Sequence, residues 1–238
     1  MNLKFVFNNA RSLHKHFFDI KADPNALSAD IIGKAESRLC ESDKDEKYSL
    51  DGFKIFHNDG KTDHCSRSHH GIVLYVKNNL TVLSHNSFSS DSIEFSVINV
   101  IISNSEVQCV ALYKKPSCHL QVLCKTLENK LLPFMQNNAK TVIMGDFNLE
   151  PDSKPIETIT STLDDSKNIA NLAFGPEGTF NGFHFDKTVK RRIDYIFVTK
   201  SSILVKKYAV LSDNWDLKYP SDHLPVFITF QFLKKDTN

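Results

Sequence analysis

The sequence has no apolar run approaching the ~20 residues that cross a bilayer, which excludes a membrane-spanning helix and leaves no membrane partner expected. Leu3 to Phe7 is apolar but too short for a secretion-signal core and has no positively charged leader, so no secretion signal is expected. The five cysteines, Cys40, Cys65, Cys109, Cys118 and Cys124, are odd in number and include no Cys-x-x-Cys pair. That argues against a disulfide framework or a zinc site, and a reducing intracellular setting, nuclear or cytoplasmic, is expected. Charge of one sign is missing too: 29 Lys and Arg against 28 Asp and Glu leave a net charge of +1. Composition alone therefore points to no polyanion, and binding to one must come from local patches. No internal repeat or low-complexity linker divides the chain.

What is present suits one α/β domain over residues 1–238, with mostly antiparallel strand pairs. Hydrophobic residues make up 41% of the chain, and 18 phenylalanines supply a core. Strands are expected at 3–7, 29–33, 53–57, 71–76, 80–83, 93–102, 107–113, 141–144, 192–198, 203–211 and 226–232. Residues 71–76 and 80–83 read as a hairpin around Asn78-Asn79, and 93–102 with 107–113 as a second antiparallel pair. Ser12 can cap a helix that turns Leu13, Phe17, Phe18 and Ile20 inward, ended by Asp23-Pro24-Asn25. Leu120, Leu123, Leu127, Leu131 and Phe134 recur at helical spacing and predict an amphipathic helix over 118–136, with another short helix around 156–163.

The chain is organised around Lys140-Thr-Val-Ile-Met-Gly-Asp-Phe-Asn148. An apolar β-branched strand runs to Gly145, where the backbone can turn, and Asp146 and Asn148 follow on one side of the chain. The bland alternative is a turn in which Asp146 bonds its own backbone. Similar polar groups stand at other strand ends: Asn9, Glu36, Asp194, and Asp222 with His223. Asp194 lies inside an apolar strand, where a carboxylate is costly without a partner, and His223 could supply it. Together these groups offer hard oxygen ligands for a magnesium-class ion, amides for phosphate oxygens and a His–Asp pair. His64, His69 and His70 lack a partner pattern and read as a surface loop.

Asn9-Ala-Arg-Ser-Leu13, Glu36 in Glu-Ser-Arg-Leu39, Gly145-Asp-Phe-Asn148, Arg192-Ile-Asp-Tyr195 and Ser221-Asp-His223 occur in the motif order of one superfamily. The chain resembles the endonuclease/exonuclease/phosphatase superfamily from about residue 3 to 232. Its opening motif looks most like the endonuclease domains of non-LTR retrotransposons, while 179–183 and 191–198 are similar to bacterial-type members as well. The resemblance implies a four-layer α/β/β/α sandwich with the site at one rim. It implies that Glu36 binds a divalent metal, Mg²⁺ or Mn²⁺, with Asn9 beside it and Asp222 in the same environment. Asp146 would align or deprotonate the attacking water, and Asn148 would hold the scissile phosphate. Asp194 would orient His223, the acid–base or phosphate-contacting group. Tyr113 matches a phosphate-contacting tyrosine, and Thr179 a substrate contact. Asn8 competes with Asn9 for the asparagine position, and the motif match favours Asn9. Many abasic-site enzymes of the superfamily carry an acidic residue where this chain has Arg11, which argues against specialised abasic-site repair.

Lys114-Lys115 and Lys187, Lys190, Arg191 and Arg192 flank the expected site and could grip a phosphate backbone. The leading expectation is a monomeric Mg²⁺-dependent DNA endonuclease. A phosphomonoesterase or lipid phosphodiesterase of the same fold is the alternative. A catalytically silent, mobile-element-derived interaction domain is a third, although it predicts loss of site residues and the main ones are present.

Overall fold

In the computed structural model, which describes residues 2–60, 70–131, 140–182, 191–211 and 221–233, alternation along the first strand sets the layers. Phe5 and Phe7 enter one apolar layer while Val6, between them, enters another. A strand buried on both faces reads as a continuous apolar run, as Phe5-Val6-Phe7 does.

The described strands, in chain order, are β1 Leu3–Asn9, β2 Ile31–Ala35, β3 Phe53–Asn58, β4 Ile72–Lys77, β5 Thr81–Ser89, β6 Ile93–Ile102 and β7 Ser105–Lys114. They continue with β8 Lys140–Asp146, β9 Leu163–Asp165, β10 Leu172–Phe174, β11 Asp194–Thr199, β12 Ile203–Val210 and β13 Val226–Phe232. The helices are α1 Leu13–Ala22, α2 Pro24–Leu27, α3 Leu120–Thr126, α4 Lys154–Thr162 and α5 Ser166–Ile169. A seven-stranded sheet has the order β10-β12-β13-β1-β2-β4-β3, and a six-stranded sheet the order β5-β6-β7-β8-β11-β9. Only the pairs β1–β2, β7–β8 and β10–β12 are parallel among the described strands.

Between the sheets, Phe5, Phe7, Ile31, Leu74 and Ile228 meet Ile98, Cys109, Met144 and Ile196. Helices α1 and α2 cover the outside of the first sheet through Leu13, Phe17, Ile20 and Ala26. Helices α3 and α4 cover the outside of the second through Leu123 and Ile156. This is the expected α/β/β/α sandwich. Burying one such large apolar side chain is worth about 1.5–3 kcal/mol, so the three layers dominate the fold's stability. Among the described residues no helix is long and apolar enough to cross a membrane. Cys40, Cys109, Cys118 and Cys124 are free thiols; Cys65 lies outside the described residues.

Several local expectations are corrected. Strands β4 and β5 do not form a hairpin: β4 pairs with β2 and β3, and β5 with β6, so the Asn78-Asn79 turn carries the chain from one sheet to the other. The β6–β7 hairpin does form, around Ser103 and Asn104, both at positive φ as a tight two-residue turn requires. In α1, Leu13, Phe17 and Ile20 are buried, but Phe18 is 81% exposed because it falls off their i, i+4, i+7 stripe. Ser12 precedes α1 without a side-chain cap bond, whereas Asp23 does cap α2 by accepting from the Asn25 N–H at 2.8 Å. Leu120 is largely exposed, and beyond α3 the chain widens into a π-helical turn over Leu127–Leu131. Pro133, Phe134 and Gln136 lie outside the described residues. Gly145 is not a turn: it sits within β8, where an added Cβ would come within 2.6 Å of the Leu112 carbonyl oxygen. The turn comes later, at Asn148, whose φ is 48°.

Candidate active site

Strand direction gathers the polar strand ends. Parallel pairing of β1 with β2 sets Asn9 beside Ala35, next to Glu36, and parallel pairing of β7 with β8 sets Tyr113 beside Asp146. Antiparallel β11 begins at this same end, with Asp194 directly opposite Asp146. Strand β13 runs antiparallel to β1, so the Ser221–Pro225 segment that precedes it arrives beside Asn9. One rim of the sandwich therefore receives residues from the ends of six strands.

Two contact sets meet at Asp146. In the first, the Asn9 amide donates to both Glu36 Oε1 and Asp146 Oδ2, each at 2.9 Å. In the second, His223 Nδ1 lies 2.9 Å from Asp194 Oδ2, and His223 Nε2 lies 3.8 Å from Asp146 Oδ2. Asp146, Asp194 and His223 are all buried. Burial disfavours an ionised Asp146 and raises its pKa; neighbouring Asp194 adds to the rise, while His223 and the Asn9 amide oppose it. Burial likewise disfavours a charged His223, but Asp194, Asp146 and Asp222 outweigh it and push the imidazole up to about 9. Tyr113 faces the same carboxylates. Burial, then Glu36 and Asp146, holds its phenol protonated well above the usual range.

Asp146 also bonds its own backbone, through the Asn148 N–H at 2.9 Å, so the turn and the site are one arrangement. The Asn148 amide donates to the Lys114 carbonyl at 2.8 Å. Arg11, Glu36, Arg38 and Asn148 all have positive φ without being glycine. Such strained residues concentrate where surrounding bonds over-determine the backbone, and four of them surround this rim.

Several expected site residues have specific partners. Asn9 presents N–H to the carboxylates, because its Oδ1 is held by the Arg11 backbone N–H at 2.9 Å; it bridges Glu36 and Asp146 and offers the site no oxygen. Asp222 is in an ion pair with Arg11, Oδ2 to Nη1 at 2.8 Å. Thr179 is closed to solvent, and its hydroxyl accepts from the Ile193 and Asp194 N–H groups at 3.1 Å, so it sets Asp194 in place and does not face a substrate. Lys114 is turned inward onto the Lys115 carbonyl at 2.9 Å, and Arg192 is buried against Asp165 at 2.5 Å; neither is available to grip a backbone. Arg191 is exposed at the rim, paired with Glu150 at 2.9 Å and stacked over Phe180, whose ring packs against His223 at 5.0 Å. Lys187, Lys190, His64 and His69 lie outside the described residues; His70 stacks on Tyr113 at 5.4 Å.

Three further contributors, Ser221, Phe180 and Asn8, have roles that the motifs do not assign. The Ser221 hydroxyl donates to the Asn9 carbonyl at 2.6 Å and accepts from the His223 N–H at 3.1 Å. Phe180 walls one side of His223. The Asn8 amide donates to the His223 carbonyl at 3.0 Å. The doubled asparagine was the available signal: adjacent strand residues face opposite sides, so both could be in use.

The donor set fits a divalent cation. Asp222 is offset by Arg11 and Asp194 by His223, while Glu36 and Asp146 share one neutral amide. Glu36 also meets Arg38, at a long 3.5 Å. Among the described residues, the buried Oδ1 atoms of Asp194 and Asp222 have no hydrogen-bond partner. Hard oxygens with surplus negative charge are what a magnesium- or manganese-class ion takes.

Comparison with known proteins shows the family. The profile of the Endonuclease/Exonuclease/phosphatase family matches residues 9–223, from Asn9 to His223. No curated protein sequence matches. Among solved structures, the chain is similar to an endonuclease/exonuclease/phosphatase family protein from Bacteroides thetaiotaomicron, with TM-score 0.78 and 20% identity over 97% of this chain and 95% of that one. A mannosyl-6-phosphatase of Bacteroides thetaiotaomicron VPI-5482 gives TM-score 0.77 and 21% identity over 97% and 100%. The human Nocturnin catalytic domain with bound sulfate gives 0.74 and 16% over 98% and 94%. At such identities the likeness establishes the fold, and the family match adds the chemistry: the chain belongs to the endonuclease/exonuclease/phosphatase family, divalent-metal-dependent hydrolases of phosphate esters.

Proposed function

We propose that this chain is a Mg²⁺-dependent phosphodiesterase that nicks duplex DNA, with Mn²⁺ able to replace Mg²⁺. The observation that carries the reading is the meeting of the Asp194–His223 pair and the Glu36–Asn9–Asp146 bridge at one carboxylate. Asp146 aligns and deprotonates the attacking water, and a positioned base of this kind contributes roughly 10²–10⁴-fold. His223, held by Asp194, hydrogen-bonds the phosphate or returns a proton to the leaving oxygen. Asn148 and Tyr113 donate to the non-bridging oxygens. Glu36 and Asp146 would hold the metal, organised by Asn9, with Asp222 completing its environment. Bound there, a divalent ion supplies charge stabilisation for the phosphoryl and leaving oxygens.

Duplex DNA is supported by the Asn-Ala-Arg-Ser-Leu opening, which is similar to mobile-element endonucleases, by Arg11 in place of the acidic residue of abasic-site enzymes, and by exposed Arg191 at the rim. Lys190 adjoins it in sequence. The likeness to a mannosyl-6-phosphatase favours a second reading, a phosphomonoesterase acting on a small ester. Pure protein with supercoiled plasmid in Mg²⁺, beside phosphate release from sugar phosphates and inositol phosphates and sphingomyelin hydrolysis, separates the two. Conversion to open circle supports the endonuclease; phosphate or lipid product with intact plasmid overturns it.

A further inference from the structure

Lys34 is a buried lysine with no part in the chemistry described above. It sits on β2 at 1% exposure, directly beside Asn8 in the parallel β1–β2 register. Both side chains point to the helix-covered outer face of the sheet, since their alternating neighbours Val6 and Ile32 belong to that layer. Among the described residues the amine has one hydrogen-bond partner, Asn8 Oδ1, at a long 3.5 Å. The other end of the same carboxamide donates to the His223 carbonyl at 3.0 Å, and Asn8 is itself 3% exposed. Two successive hydrogen bonds thus connect an amine, a carboxamide and a main-chain carbonyl, from the back of the sheet to the residue whose ring meets Asp194 and Asp146.

We propose that Lys34 and Asn8 are positioning residues that fix the His223 backbone from behind the sheet. A buried polar side chain is costly unless its bonds are made, and Asn8 uses both ends of its amide here. Lys34 is more costly still, and an apolar residue would fill the same space without that cost. Retaining an amine there gives the carboxamide a fixed orientation: Oδ1 must face the donor, so Nδ2 must face His223. Charged or neutral, the amine donates this bond. Successive hydrogen bonds polarise one another, so loss of the first loosens the second. The segment is also fastened by Ser221 to Asn9 and to the His223 N–H, by main-chain bonds from the Asn181 N–H to the Asp222 carbonyl and from the Leu224 N–H to the Thr179 carbonyl, and by Phe180 against the ring, while the bond to the His223 carbonyl comes from Asn8.

The activity arm of the test rests on the proposed phosphodiesterase function; the spectroscopic arm does not. Asn8→Asp keeps the shape and lets the carboxylate pair with Lys34, but it removes the donor to His223. Lys34→Met keeps the volume and removes the amine. For both, thermal stability should stay at or above wild type while kcat falls roughly 10–100-fold with KM unchanged, since small misplacements at a reacting centre have effects of that size. The His223 Nδ1–H resonance in ¹⁵N-histidine-labelled protein should shift in both variants, whether or not the protein cleaves any substrate tried. The Asn8→Asp/Lys34→Met double variant should lose no more than Asn8→Asp alone. Folded variants with unchanged kcat and an unchanged His223 resonance overturn the proposal. Should both variants fail to fold, hydrogen exchange of the Asn8 side-chain amide in the wild type decides: strong protection supports the bond to His223, and free-solvent exchange contradicts it.

Discussion

Asp194 and His223 meet at 2.9 Å, Oδ2 to Nδ1, although one opens strand β11 of the six-stranded sheet and the other lies just before β13 of the seven-stranded sheet. The pair joins the two sheets at the rim, and its second ring nitrogen is aimed at Asp146. One contact thus ties the proposed function to the assembly of the sandwich.

If the pair acts as a unit, Asp194→Asn and His223→Ala should each lower turnover by roughly 10²–10⁴-fold. The double variant should fall little further than His223→Ala alone. The check is a double-mutant cycle on kcat with whichever phosphate ester the protein hydrolyses. Additive free-energy losses would mean that Asp194 does not act through His223.

Asp146→Asn should remove activity and leave the fold intact. Burial works against the ionised carboxylate in the metal-free protein, so the neutral amide should hold or raise the thermal midpoint in EDTA. Addition of Mg²⁺ should stabilise the wild type more than the variant, because the variant lacks one charge for the cation. Calorimetry with and without the ion reads both effects.

The sequence carried the strand ends of the site well, because each is a short polar break at the end of an apolar run: Asn9, Glu36, Asp146, Asp194 and His223 reach the rim as expected. It carried pairing choices less well. The Asn78-Asn79 turn has the local chemistry of a hairpin, and only distant contacts of β4 with β2 and of β5 with β6 decide that the chain changes sheets there. Thr179 and Lys114 differ from expectation for a related reason: the backbone groups of Ile193 and Asp194, and of Lys115, capture these side chains, and sequence alone does not show such capture. The left-handed turn at Asn148 has no signature in composition; it follows from the bond between Asp146 and the Asn148 N–H. Gly145 was legible as special but for the wrong reason, since close approach to Leu112, not a turn, excludes a side chain.

A pH dependence of stability follows for the metal-free protein. His223, raised to about 9, and Asp146, also raised, each bind a proton more tightly in the folded chain than in the unfolded one. Their contribution is therefore fully present below the unfolded values and is lost as pH rises through the folded ones. For His223 that window runs from about 6.5 to about 9. Thermal midpoints in EDTA should fall across it, and His223→Gln should flatten the fall. A midpoint that rises over the window would contradict the proton placement.

Arg191→Glu removes an exposed cation at the rim and sets a like charge against Glu150. Affinity for duplex DNA should drop, and the slope of log affinity against log salt should become shallower by about one, as expected for loss of one phosphate contact. The single-turnover rate at saturating DNA should change much less. A slower chemical step with unchanged affinity and salt slope would place Arg191 in the reaction instead of the backbone contact.

Plasmid nicking reads metal-dependent cleavage of a DNA backbone at the Asp146 rim. Supercoiled plasmid with pure wild-type protein should convert to open circle in Mg²⁺ or Mn²⁺, without a marked requirement for an abasic site. Conversion should stop in EDTA, stop with Asp146→Asn, and weaken steeply as salt rises under substrate-limited conditions. Full activity in metal-free buffer, or plasmid left intact by protein that readily releases phosphate from small esters, would contradict the account.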